Sequence, residues 1–212
     1  MRTRHFTLGI ALFLLTGVVG VANAKTQQVH CKGSGTLADG VETHIDVNGD
    51  GASATLDQGL ENCNIGRFFF QEELEWILQR TLTNCPAGTS AEYHISAEPG
   101  FHPAPNGQGT SVGTDEKTGD QLFNQVTSAT LCFNISTIPF TFTASGQTNI
   151  LGGTGKYAGA TGTGSFQTVG SELAVGVKDG VFGGFGQFTA TSDGTLTLPH
   201  GGNGQDGNGK DD

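Results

Sequence analysis

Phe140-Thr141-Phe142-Thr143-Ala144-Ser145 sets apolar against hydroxyl side chains at every second residue. That is the period of a strand with one buried face, because successive side chains of an extended chain point to opposite sides. The same period recurs at Val41, Thr43, Ile45 and Val47 against Glu42, His44 and Asp46. Asn48-Gly49-Asp50-Gly51, residues that tolerate positive φ, then turn the chain toward a second strand at Ala52 to Leu56. Further short candidates are Gln121 to Val126, Thr127 to Ile135, Gln147 to Leu151, Gly164 to Val169, Leu173 to Val177, Phe185 to Thr191 and Thr195 to Leu198. Strands this short and frequent, with glycine turns between them, predict an all-β sandwich or closed barrel.

Composition agrees. Of 212 residues 35 are glycine, and each interior helical glycine costs about 1 kcal/mol relative to alanine. The length suits one substantial domain, and 14 phenylalanines supply a core. A formal charge of -10 disfavours nucleic acid and anionic membrane surfaces as partners.

Met1 to Ala24 has Arg2 and Arg4, an apolar run from Leu8 to Val21 and the small-x-small end Ala22-Asn23-Ala24, the pattern of a cleaved secretory signal. The run is shorter than the roughly 20 residues a membrane anchor needs. No later segment is apolar enough to span a bilayer, so the mature chain is expected to be secreted or periplasmic, its barrel domain covering residues 25–199. Residues 98–119, rich in proline and glycine, read as a loop, and 200–212 as a disordered acidic tail. In an oxidising compartment Cys31, Cys63, Cys85 and Cys132 read as two disulfides. Three connectivities exist; Cys31 with Cys63 and Cys85 with Cys132, which closes two non-crossing loops, is preferred.

Arg67 to Arg80 has two readings. Helical spacing groups Phe70, Leu74, Ile77 and Leu78; alternation groups Phe68, Phe70, Leu74, Trp76 and Leu78, with Glu72 as an intruder. The β-rich surroundings favour a strand. An inward Glu72 would have its pKa raised by desolvation; the preferred reading is that the strand bends there and leaves Glu72, Glu73 and Glu75 in water.

Asp46, Asn48, Asp50 and Asp57 fit the alternating oxygen ligands of a calcium loop, although Asp57 stands where the template has a longer glutamate and the flanks are strands. An ordinary hairpin turn explains the same residues. No other cofactor is implied. Gly153-Thr154-Gly155-Lys156 resembles a nucleotide-binding turn but lacks the helix that must follow. Gly109-Thr110-Ser111-Val112-Gly113 spells a hydrolase elbow without the flanking strand and helix that would strain it. His30, His44, His94, His102 and His200 have no metal-ligand spacing.

Ile150-Leu151-Gly152-Gly153-Thr154-Gly155-Lys156-Tyr157-Ala158-Gly159-Ala160-Thr161-Gly162, with Gly119-Asp120-Gln121-Leu122 and Leu131-Cys132 upstream, resembles the signature of the allene oxide cyclase and dirigent group, including small exported bacterial proteins with such a domain. The resemblance spans about Thr118 to Val169. It implies an eight-stranded antiparallel barrel, lipocalin-like or calycin-like in form, often a homo-oligomer, with an apolar interior. The group's catalytic residues match nothing outside this segment, so its activity does not carry over. The glycines read as a fold marker that permits tight reversal and close packing. The expected function is non-catalytic binding of a small hydrophobic ligand. The alternatives are a cyclase or isomerase using an interior carboxylate such as Glu72, and a structural envelope or surface module.

Overall fold

The computed structural model describes residues 24–39, 53–95, 111–178 and 181–199. The described chain forms nine strands: β1 (Lys25–Asp39), β2 (Ser53–Cys63), β3 (Gly66–Leu78), β4 (Ala91–Ile95), β5 (Ser111–Asp115), β6 (Gln121–Asn134), β7 (Phe140–Gly153), β8 (Thr161–Lys178) and β9 (Val181–Leu198). Between β7 and β8 lies a single 3-10 turn, Gly155–Tyr157. All nine belong to one antiparallel sheet in the order β2-β1-β9-β8-β7-β6-β4-β3-β5, and the further pairings β2–β3 and β6–β5 close it into a ring.

The ring has eight places, because β4 and β5 share one. β3 pairs with β5 through Phe68 to Glu72 and with β4 through Trp76 to Leu78. β6 receives the same two short strands on its other side, β5 at Gln121 to Asn124 and β4 at Thr130 to Phe133. Closure satisfies the backbone groups that an open sheet would leave along its edges. The fold is thus the all-β antiparallel ring that the alternation pattern predicts, barrel-like in form.

The strands are longer than the sequence pattern suggests. Gln121 to Val126 and Thr127 to Ile135 read as two strands but belong to one, β6, whose register shifts between Val126 and Ser128. The extra residue, Thr127, donates its hydroxyl to the Gln147 carbonyl. One inserted residue reverses the alternation, so Leu122 and Val126 before it and Ala129 after it can all be buried. Gly146 reads as a break in β7, yet the strand runs through it, because Gly146 stands opposite Phe166. A Cβ there would lie 2.6 Å from the Phe166 ring. β1 has no alternating apolar signature because Gly33 and Gly35 stand between Cys31 and Leu37, the two buried residues of that face.

One end of the ring is filled by Phe68, Leu122, Tyr157, Ala160 and Leu196. The glycine-rich signature builds this floor. Gly155 has φ +51°, and a Cβ on it would come 1.8 Å from Asp120 Oδ1. The Gln121 amide donates to Thr154 Oγ1 at 2.8 Å, and the Thr154 amide donates to the Gln121 carbonyl at 2.8 Å. The Gly119–Leu122 and Gly152–Gly162 segments therefore meet in space. Buried Asp115 accepts from Lys156 Nζ at 2.5 Å, from the Tyr157 hydroxyl at 3.3 Å and from the Lys117 and Thr118 amides. Burial alone would raise its pKa, but the Lys156 hydrogen bond is the larger influence and lowers it.

Two disulfides join Cys31 to Cys63 and Cys85 to Cys132, and among the described residues no cysteine is free. One expectation is corrected: part of the loop at 98–119 is strand. Ser111–Asp115 form β5, paired on both sides, and its small residues fit because Gly113 lies over Phe68 with room for no more than ordinary contact. Ser111 of the elbow motif is a buried wall residue in that strand. The expected signal before Ala24, the strand at Val41 to Val47, the rest of that loop to residue 110 and the tail lie outside the described residues. Among those described, no helix is long and apolar enough to cross a membrane.

Candidate functional site

β3 carries Phe68, Phe70, Leu74 and Trp76 as buried residues at alternating positions, and Glu72 occupies the position between Phe70 and Leu74 on the same face. The strand does not bend Glu72 into water. β3 is held in register without a shift against β2 from Gly66 to Trp76, so the alternation carries Glu72 inward, contrary to the expectation that it stays wet. β2 contributes Thr55, Asp57, Glu61 and Cys63 to the same interior.

These residues wall a cavity of about 780 Å3 that reaches from Phe68 and Leu122 near the floor to Leu78 and Phe140 toward the other end. Its lining is mostly aromatic and aliphatic, with four interior carboxylates, Asp57, Glu61, Glu72 and Glu172. Among the described lining residues there is no lysine, arginine or histidine. Glycines make space for the larger groups: a Cβ on Gly59 would lie 2.9 Å from the Phe70 ring, and one on Gly33 2.8 Å from Glu61 Cγ. Trp76 is fixed by its indole N–H, which donates to Thr55 Oγ1 at 3.1 Å.

Asp57 pairs directly across from Glu72, and Glu61 across from Phe68. Burial, the charge of Asp57 and the charge of Glu61, in that order, hold the Glu72 carboxyl well above the usual glutamate range. All three act in one direction, since desolvation and neighbouring like charges both penalise the carboxylate. Burial also raises Glu61. An oxygen of Glu61 lies within 4.8 Å of both Cys31 and Cys63 sulfurs; these sulfurs are bonded to each other and offer no thiolate to a metal. A neutral carboxyl beside a carboxylate can donate a hydrogen bond, accept one, or pass a proton.

Of the calcium-loop residues, Asp46, Asn48 and Asp50 lie outside the described residues, and Asp57 sits within β2 on the cavity wall. His30 pairs with Asp193 on the exterior, both well exposed. His94 touches Glu92, which is fully buried and accepts from the Thr83 amide at 2.7 Å, the Asn84 amide at 3.0 Å and Asn84 Nδ2 at 3.0 Å. Burial pulls the Glu92 pKa upward, but these donors outweigh it and bring it to about 2. Glu92 thereby anchors the segment leading to Cys85.

Glu61 and Glu172 belong to the cavity but do not stand out in the sequence. The expected strand after the Asn48 turn ends at Leu56, whereas β2 continues to Cys63. Counting every second residue back from Cys63 would have placed Glu61 and Asp57 on one face. Glu172 follows Gly170 on β8 in the same way. No family model, curated protein or solved structure matches this chain.

Proposed function

We propose that this is an exported protein whose barrel holds a small, largely apolar molecule without acting on it chemically. The observation that carries the reading is the interior cavity of about 780 Å3, walled by Phe70, Leu74, Trp76, Phe142 and Phe188. Pockets for small molecules measure roughly 300–1,000 Å3 and combine apolar walls with a few polar groups, and eight-stranded rings are wide enough to hold one small ligand. Two disulfides and the Met1 to Ala24 pattern support export.

Native mass spectrometry of the exported chain, before and after organic extraction, tests this. A bound small molecule that extraction removes is the expected result. The only tryptophan of the chain, Trp76, lies in the cavity wall, so rebinding should change its fluorescence. No co-purifying molecule, together with no fluorescence response to a panel of lipids and aromatics, would overturn the reading.

The opposed pair Asp57 and Glu72 favours a second reading, a cyclase or isomerase that uses Glu72 for proton transfer to a hydrophobic substrate. Turnover of an extracted ligand that E72Q abolishes, without loss of ligand affinity, distinguishes it from simple binding.

A further inference from the structure

We infer that the end of the ring opposite the floor docks on a zwitterionic phospholipid surface, with Leu78, Leu82, Ile135 and Ile138 entering the lipid. These four side chains are 56%, 48%, 57% and 85% exposed. They gather at one end because β3 and β6 both begin beside the floor, at Phe68 and Leu122, and run away from it to Leu78 and Asn134. The rim they form is held in shape. The Cys85–Cys132 disulfide ties the connection after β3 to β6, the Gln79 amide donates to the Glu92 carbonyl at 2.8 Å, and the Ile135 amide donates to Ser90 Oγ at 3.1 Å. Leu173 and Phe185, an exposed cross-strand pair on β8 and β9, add apolar surface toward the same end.

Two observations point to lipid as the occupant. Leu78 and Ile135 also line the cavity, so the apolar interior continues onto the rim through the same side chains. The second observation is charge. Residues 79–90 and 135–139, the two described connections at this end, contain one charged residue, the exposed Arg80, in a chain with 20 acids and 10 bases. The floor end, by contrast, carries Asp115, Glu116, Lys117, Asp120 and Lys156. Apolar tips flanked by threonine and serine, with one guanidinium, match the boundary of a bilayer, where apolar side chains enter the acyl region and a long basic one meets phosphate. The formal charge of -10 favours a zwitterionic layer over an anionic one. It also disfavours a second copy as occupant, since rim against rim would oppose two Arg80 side chains and two negatively charged bodies.

The test is co-sedimentation of the full exported chain with vesicles of phosphatidylcholine alone and of phosphatidylcholine with phosphatidylglycerol. The expected result is partition onto the first and weaker partition onto the second. L82D/I138D should weaken partition at least about 10-fold. Neither Leu82 nor Ile138 lines the cavity, so the variant leaves ligand uptake unchanged and the two readings fail separately. L151D, which places the same charge on an exposed leucine near the floor, should partition as the natural chain does. Circular dichroism melts show that both variants are folded. Binding to neither vesicle, stronger binding to the anionic one, or equal partition of L82D/I138D and the natural chain each overturns the inference. No vesicle binding together with a dimer in sedimentation velocity that L82D/I138D abolishes overturns it in favour of an interface between copies.

Discussion

Asp57 and Glu72 stand directly opposite one another on adjacent strands, both facing the cavity, and Glu61 lies farther along the same strand as Asp57. In an antiparallel pair such positions are about 5 Å apart at Cβ, so two ionised carboxylates there repel. The interior therefore holds an acid group that favours its neutral form.

The pH dependence of folding should show this. For Glu72 the folded pKa is above the unfolded value near 4.5, so the native state binds more protons and stability falls as pH rises from about that value through the raised pKa. Glu61 acts in the same direction. Glu92 and Asp115 act oppositely: their folded pKa values are lowered, and their contribution is lost as pH falls below the ordinary carboxylate range, for Glu92 through about 2. E72Q should flatten the decline on the alkaline side and raise stability at pH 8 by about 1 kcal/mol or more. Urea melts from pH 4 to pH 9 check it; an unchanged slope in the variant would contradict the inward placement of Glu72.

Removing the ammonium from the floor should be costly. In K156M the buried Asp115 loses its closest donor. Lys156 is partly exposed, so the expected loss is about 1–3 kcal/mol rather than the larger figure for a fully buried pair. Y157F, which removes only the hydroxyl at 3.3 Å, should cost about 0.5–1.5 kcal/mol. Chemical denaturation of both variants at pH 7 gives the comparison, and an equal effect of the two would refute the assigned roles.

Inward glycines pressed against both a ring and a backbone carbonyl should not tolerate even a methyl group. A Cβ on Gly170 would lie 2.3 Å from Phe142 Cζ and 2.6 Å from the Gln187 carbonyl. Open space would let Gly→Ala stabilise by about 0.4–1 kcal/mol through the unfolded state; here G170A should instead destabilise by about 1–3 kcal/mol. Gly113, whose added Cβ meets Phe68 at 3.5 Å, is the contrast, and G113A should lie within about 0.5 kcal/mol of the natural chain. Thermal melts of the two variants read the difference directly.

Each disulfide closes a long loop, with sequence separations of 32 and 47. Loss of either should destabilise by about 4 kcal/mol on the chain-entropy account. The double variants C31S/C63S and C85S/C132S are compared in guanidinium without reductant. Thiol titration of the denatured natural chain should find no free thiol; two or more would refute the pairing.

Alternation at Phe140 to Ser145 and at Phe68 to Leu78 marked real strands because one face of each is buried, a condition written locally in the residue order. The even count of cysteines marked the disulfides for a similar reason. Strand ends were less legible. Gly33, Gly59, Gly146 and Gly170 look like breaks, yet each is an inward position whose empty volume belongs to a large side chain on a neighbouring strand. The bulge at Thr127 is equally hidden, because only the register against β7 shows which residue is extra.

The sequence by itself determined that the chain is all β, where much of its turn chemistry lies and that its cysteines can pair. Only the tertiary structure decided that Asp57, Glu61, Glu72 and Glu172 share one interior with Phe70, Trp76 and Phe188. The reason is physical: alternation states which residues share a face of one strand, but whether that face meets water or a cavity depends on closure of the ring. Closure is made by pairings such as β1 with β9, which join residues as far apart as Lys25 and Leu198.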